Sequence, residues 1–209
     1  MVILEYAKQN ICINSDFTDY YDSLSDAKSV VVYNRFRDKE DRGKLLNLLK
    51  TKGVKTIELK SVKEYAGQKG MLVVYTRPEL HNSQGKMVID INEAYSLYPN
   101  NLASKFSEEA DGTTLKFLQI GQTRFKIIYK TTEPYSLKVG DIQSIERLND
   151  NESSINIPIF SIDYINVGGS MVAIDFNRVQ NLSLLGIQEY INSIDIIKYI
   201  NKHVTTRGK

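Results

Sequence analysis

The chain has 209 residues, with 27 Lys and Arg against 25 Asp and Glu, a formal charge of +2. Hydrophobic residues make up 42% and charged residues 25%, which excludes a disordered or fibrous chain and leaves room for one large domain or two small ones. The near-neutral balance argues against a dedicated nucleic-acid binder, the single Cys12 excludes an intramolecular disulfide and argues against a cysteine-based zinc site, and two histidines leave little for His-rich metal chemistry.

The opening MVILEYAKQN has no basic n-region followed by an apolar stretch, so no signal peptide is expected. Runs of ~18 apolar residues are absent, so a transmembrane helix is not expected and a cytoplasmic setting is. Ser29–Tyr33 (SVVVY) reads as a buried strand. In Asp38–Gly53, early acidic residues, a stripe of Leu45, Leu46, Leu48 and Leu49, and closing Lys50, Lys52 and Gly53 predict a helix. Val54–Leu59 alternates like a strand, and Ser61 caps a short helix through Gln68. Met71–Thr76 reads as a strand, followed by Arg77-Pro78, a polar loop from His81 to Lys86 and a strand from Met87 to Ile91. After Asn92, the stretch EAYSLYPNNLASKF reads as a helix interrupted at Pro99. Leu115–Ile120 and Thr123–Tyr129 flank Gly121-Gln122 as a tight hairpin. Asp150–Asn156 reads as a mobile loop. Ile157–Val167 and Ser170–Phe176 form a second hairpin around Gly168-Gly169, and Ser193–His203 has near-helical spacing. Crossovers mixed with hairpins predict an α+β fold with more than one sheet.

The second hairpin carries the sharpest chemistry. Asp175 and Asn177 are two positions apart on one strand and share a face. The Gly168-Gly169 turn folds Asp163 back toward them. Three oxygen donors on one side of a hairpin suit Mg²⁺, which takes one or two carboxylates together with phosphate oxygens. Ile162, Ile174 and Phe176 are expected to point into the core. A solvent-facing hairpin with incidental aspartates fits the same residues.

Elsewhere, Gly85 is expected to serve loop geometry or a close phosphate approach, and Lys86 to reach phosphate or sit as a surface lysine. Lys116, Arg124, Lys126 and Lys130 form a basic set on adjacent strands. Arg124, Lys126 and Lys130 share strand parity, so one face is positive and could serve a triphosphate or an anionic substrate, or be a solvated sheet face. The aromatics Phe117, Phe125 and Tyr129 interleave with it, a pattern also compatible with nucleic acid, against which the net charge of +2 weighs.

An aspartate on one strand, a hairpin, and Asp-x-Asn on the next resembles the metal-binding end of ATP-grasp enzymes. KLLNLLKTKGVKT (Lys44–Thr56) resembles that family's helix with a lysine before a Gly-hydrophobic-x-x-Thr segment, and VVYNR (Val31–Arg35) resembles the approach to it. LVVYTRPELHNSQGKMV (Leu72–Val88) resembles the strand ending in Lys-Pro and its glycine-containing loop over the phosphates, with Arg77 in the lysine position. LKFLQIGQTRFKIIYK (Leu115–Lys130) resembles the hairpin that follows. A basic residue common before the first metal aspartate is here Ser161. The resemblance covers roughly residues 29 to 200 and is especially close to small phage and bacterial carboxylate–amine ligases.

The resemblance implies an ATP-grasp-like α+β fold with two lobes around a nucleotide cleft. Residues 1–35 would be a shortened N-terminal segment, 36–106 the small lobe and 107–209 the larger lobe. It implies an ATP- and Mg²⁺-dependent carboxylate–amine or carboxylate–thiol ligase acting through an acyl phosphate. The alternative is a non-catalytic nucleotide-binding relative acting as an interaction module. Lys44, Arg77, Gly85 and Lys86 would hold ATP; Asp163, Asp175 and Asn177 would hold Mg²⁺; Arg124, Lys126 and Lys130 would be catalytic. Expected partners are small-molecule or peptide carboxylate and amine substrates; neither a membrane nor nucleic acid is expected, and a homodimer is left open.

Overall fold

The computed structural model describes residues 2–6, 9–13, 31–34, 42–77, 85–120, 123–130, 141–148, 159–177 and 180–181. Its elements, in order, are strands β1 (Val2–Tyr6), β2 (Gln9–Ile13) and β3 (Val31–Asn34), helix α1 (Arg42–Thr51), β4 (Lys60–Ser61), β5 (Met71–Tyr75) and β6 (Lys86–Asp90). Helix α2 (Ile91–Leu97), β7 (Leu102–Lys105), β8 (Ala110–Ile120), β9 (Thr123–Lys130), β10 (Asp141–Leu148), β11 (Ile159–Val167), β12 (Ser170–Asn177) and β13 (Gln180–Asn181) follow. The strands make three sheets ordered β13-β3-β1-β2, β4-β7-β5-β6 and β10-β9-β8-β11-β12. Every pairing between named strands is antiparallel. The fold is α+β, as the mixture of hairpins and helices predicts. Among the described residues no helix is long and apolar enough to cross a membrane.

Helix α1 buries Leu46 and Leu49. Arg42 lies four and seven residues before them, on the same stripe. The stripe packs on Phe160 and Ile162 of β11 and Ala173 and Phe176 of β12, all buried. Phe160 meets Phe117 at 5.9 Å and Phe176 edge-on at 5.6 Å between ring centroids. Such tilted aromatic contacts add to the burial of apolar area. A second core joins Leu72, Val74 and Ala103 of the four-stranded sheet to Val62, Tyr65 and the α2 residues Ile91 and Ala94.

Several expected elements shift. Val54–Leu59 is extended but not a strand: it touches the edge of β12 through Ile57 N to Ala173 O (2.9 Å), Ala173 N to Lys55 O (2.8 Å) and one parallel bridge, Thr56 to Ala173. The expected helix after Ser61 is one 3₁₀ turn, Val62–Tyr65, entered where the Ser61 amide and hydroxyl both donate to Glu64 at 2.8 Å. Gly67, poor in helices, follows two residues after Tyr65. The helical stretch after Asn92 divides: α2 is capped by Asp90, which accepts from the Asn92 amide at 2.8 Å, and stops two residues before Pro99. Residues before proline avoid helical geometry. Leu102–Lys105 then pairs as β7 between β5 and β4.

Strand β10 was not among the expected elements. It is an edge strand whose side chains are mostly exposed, so no alternation of apolar residues announces it. The expected helix 193–203, the loop 150–156, His81 and the Gly121-Gln122 turn lie outside the described residues.

Two glycine positions are set by backbone geometry. Gly168 (φ +54°) and Gly169 (φ +79°) both take the left-handed region, as a two-residue hairpin turn between Val167 and Ser170 requires. Gly85 (φ +69°) closes the β5–β6 hairpin against Arg77, whose amide donates to its carbonyl at 3.1 Å. A Cβ at Gly85 would lie 2.4 Å from the Arg77 carbonyl oxygen. Gly85→Ala is therefore expected to lose about 1–3 kcal/mol of stability, read as a drop of several degrees in melting temperature.

Candidate functional site

Register builds the site from the sheet outward. Asp163 on β11 is directly opposite Asp175 on β12 and, on its other side, Lys116 on β8. A bulge begins just past the carboxylates, where Tyr164 pairs with Ala173 and Ile174 has no opposite residue. Bulges re-aim neighbouring side chains. Ile162 and Phe176, one position away, turn to α1, and both are buried. Ile174 is only half-buried.

Each carboxylate has its own cation. Lys116 Nζ bonds Asp163 Oδ1 and lies 3.4 Å from Ser161 Oγ. Arg42 Nη1 sits 2.6 Å from Asp175 Oδ1. The Phe176 amide donates to Asp175 Oδ1 at 3.1 Å, and Asn177 Nδ2 to Asp175 Oδ2 at 3.2 Å. Asp175 and Asn177 thus share a face, as strand parity predicts.

The hairpin β5–β6 brings the other wall. Tyr75 is buried and paired in register with Lys86. The Arg42 guanidinium lies 5.0 Å from the Tyr75 ring centroid and the Lys86 ammonium 5.6 Å from it. Cations over an aromatic face gain from its quadrupole. Lys86 is half-buried, and burial and the Arg42 charge hold its ammonium below its usual range against the pull of Asp175 and Asp163.

The two aspartates differ. Burial pushes Asp163 up; Lys116 opposes this and Asp175 adds to it, leaving the carboxyl above the usual range. Burial also pushes Asp175 up, but the charges of Arg42, Lys86 and Lys116 and the contact with Arg42 outweigh it and hold it below. Opposed shifts in neighbouring carboxyls are a mark of functional sites.

Of the residues singled out in the sequence, Asp163, Asp175, Asn177 and Lys86 come together. Gly85 adjoins Lys86 but has the structural task described above. Arg77 is exposed at the end of the hairpin. Lys44 is exposed, off the α1 stripe that Arg42 shares. Arg124, Lys126 and Lys130 do not join the cluster. Lys126 is opposite Phe117, Phe117 opposite Ile162, and Ile162 opposite Phe176, so that row belongs to the α1 side of the sheet. Arg124 is opposite Gln119, Lys126 Nζ lies 3.7 Å from Glu146, and Lys130 donates to Thr113 Oγ1 at 3.2 Å. Arg42 and Tyr75 were not singled out as site residues, Tyr129 was named only as an aromatic interleaved with the basic set, and Lys116 was grouped with Arg124, Lys126 and Lys130 without its strand face being assigned.

The donor set fits Mg²⁺ better than a softer ion. It offers two carboxylates and an amide oxygen and neither thiolate nor imidazole, and among the described residues no group of three His, Cys, Asp or Glu side chains is placed to hold a metal, this cluster included. Two carboxylates leave coordination positions that phosphate oxygens and water would have to fill.

No family model and no curated protein matches the sequence. Solved structures do match. The D-alanine–D-alanine ligase from Bacillus anthracis, complexed with ATP, is 11% identical with a TM-score of 0.47, covering 79% of this chain and 66% of that one. A macrocyclase from Microcystis aeruginosa is 12% identical with a TM-score of 0.47, covering 89% and 66%. A RimK-domain ATP-grasp protein from Sphaerobacter thermophilus is 16% identical with a TM-score of 0.44, covering 81% and 68%. The chain spans about two thirds of the length of these neighbours and 45% of a carboxyaminoimidazole ribonucleotide synthase. At TM-scores below 0.5, what the site can do is decided by its own side chains.

Proposed function

We propose that this chain binds ATP·Mg²⁺ between the β11–β12 hairpin and the β5–β6 hairpin and activates a carboxylate for capture by an amine or thiol. The observation that carries the reading is the registered pair Asp163 and Asp175, with Asn177, surrounded by Arg42, Lys86 and Lys116. Three cations against two carboxylates give this cluster a formal charge of 3 − 2 = +1. Asp163, Asp175 and Asn177 would hold the ion. Arg42, Lys86 and Lys116 would turn to phosphate oxygens, and Arg77, at the mouth of the hairpin, would add a further contact. Bound Mg²⁺ would supply charge neutralisation at the phosphates. The protein's part in phosphoryl transfer is positioning and charge compensation, so no protein nucleophile is required. The substrates proposed are small-molecule or peptide carboxylates and amines, in a cytoplasmic setting.

The test is ADP release from ATP and Mg²⁺ in the presence of amino-acid and peptide pools, alongside calorimetric titration of ATP·Mg²⁺. Arg77→Ala is expected to weaken ATP·Mg²⁺ about 10-fold, because a charge-assisted hydrogen bond is lost. Unchanged affinity would place the triphosphate elsewhere.

A nucleotide-binding role without turnover is the second reading. It is favoured by the placement of Arg124, Lys126 and Lys130, the cations expected to be catalytic, on the other face of the sheet from the carboxylates. A thermal shift with ATP·Mg²⁺ and no ADP with any acceptor would select it.

A further inference from the structure

Tyr129 stands on the same sheet face as the carboxylates. Its strand neighbour Ile127 is opposite Lys116, which is opposite Asp163, and residues 127 and 129 share parity. The side chain is 3% exposed. Its hydroxyl is fully buried, yet has no hydrogen-bond partner among the described residues. Buried polar groups are almost always paired, and an unpaired phenol is a cost that a ring without the hydroxyl would avoid. Burial and the Asp163 charge push the phenol up, so the hydroxyl keeps its proton at neutral pH. It is a donor in need of an acceptor. Asp163 is the charge that acts on it, but that carboxylate is bonded to Lys116.

We propose that Tyr129 Oη donates a hydrogen bond to an oxyanion oxygen of the bound ligand, a phosphoryl or carboxylate group seated beside Lys116 and Asp163. The assignment rests on the reading of this cluster as a ligand site, and it adds a neutral donor to its charged ones. A neutral donor recognises an anionic oxygen without adding charge repulsion to Lys86 and Lys116, and it holds direction better than a flexible ammonium.

Tyr129→Phe keeps the ring and removes only the hydroxyl. The unliganded variant is expected to melt at the parent's temperature or above it, because no hydrogen bond is lost in the free protein. A fall of more than about 3 °C would mean the hydroxyl is satisfied within the fold and would overturn the proposal. Calorimetric titrations of parent and variant with ATP·Mg²⁺, with inorganic phosphate and with succinate separate the ligand sources. ATP·Mg²⁺ is expected to bind the variant about 5–20-fold more weakly. Weaker phosphate with unchanged succinate places the hydroxyl on a phosphoryl oxygen; the reverse places it on a substrate carboxylate. Equal affinities for all three overturn the proposal and leave the nucleotide reading intact. A parent that binds no ATP·Mg²⁺ overturns the nucleotide reading; weaker phosphate or succinate in the variant then sustains the Tyr129 assignment. A parent that binds none of the three overturns both.

Discussion

Asp175→Asn is expected to fold and to lose ATP·Mg²⁺ binding by 100-fold or more. The exchange is nearly isosteric, and an amide oxygen can still accept from the Phe176 amide, which donates to Asp175 Oδ1 at 3.1 Å. What disappears is the charge that Arg42 Nη1 meets at 2.6 Å and that a divalent ion would need. Removing one charge from a two-carboxylate site for a hard cation removes much of its electrostatic attraction, and a 100-fold loss corresponds to about 2.7 kcal/mol. The unliganded variant should lose about 1–3 kcal/mol of stability, because Arg42 keeps an acceptor but not a counter-charge. The pH dependence identifies the origin of that loss. Asp175 is held below its usual range, so its contribution is present above the unfolded value of about 3.9 and fades as pH falls through the folded value. The stability gap between parent and variant should therefore narrow below about pH 4. Chemical denaturation between pH 3 and 7 measures it. A variant that binds ATP·Mg²⁺ like the parent would leave Asp175 a purely structural residue, clamping the N-terminus of α1.

The hairpin that holds Asp175 was legible because its signals are local. Gly168-Gly169 specifies a two-residue turn, and alternation assigns Asp175 and Asn177 to one side. Arg42 was equally open to reading: it falls on the stripe of Leu46 and Leu49, and a cation at the start of a buried stripe needs a partner. Lys116 was misgrouped for an instructive reason. Parity within β9 aligns Arg124, Lys126 and Lys130, but only cross-strand register says which residue of β8 joins them. The observed register has Ile120 opposite Thr123 and hence Lys116 opposite Ile127. Lys116 therefore belongs with Phe125, Ile127 and Tyr129, not with the three exposed or half-buried cations. The bulge at Ile174 was not legible, since nothing in VAIDF marks an extra residue. Nor was the approach of Tyr75 and Lys86, which depends on how separate sheets pack and not on any repeat within one segment.

Lys116→Met tests the other half of the charge pair and should carry the larger stability cost. Methionine fills much of the lysine's apolar stem volume but leaves Asp163 facing a buried site without its cation. The side chains of Lys116 and Asp163 are only 11% and 18% exposed, so solvent cannot replace the lost partner. Breaking such a pair from one side costs about 3–5 kcal/mol, because an uncompensated charge stays behind. Asp163 is already pushed above its usual range by burial, with Lys116 as the first opposing influence, and removing Lys116 should push it further. The sign of the pH dependence is then opposite to that of Asp175. A carboxyl whose folded value is raised contributes stability that is full below the unfolded value of about 3.9 and is lost as pH rises through the folded value. The variant should therefore recover stability on acidification from pH 7 toward the unfolded value, where the parent, with its ion pair, gains less. Adding Asp163→Asn to Lys116→Met should restore much of the loss at pH 7, since no charge is left unpaired. Denaturant midpoints of the parent, the single variant and the double variant across that pH range decide the matter. A loss that does not vary with pH and is not relieved by the second substitution would trace the defect to packing around the lysine stem, and Lys116 would then be no counter-ion to Asp163.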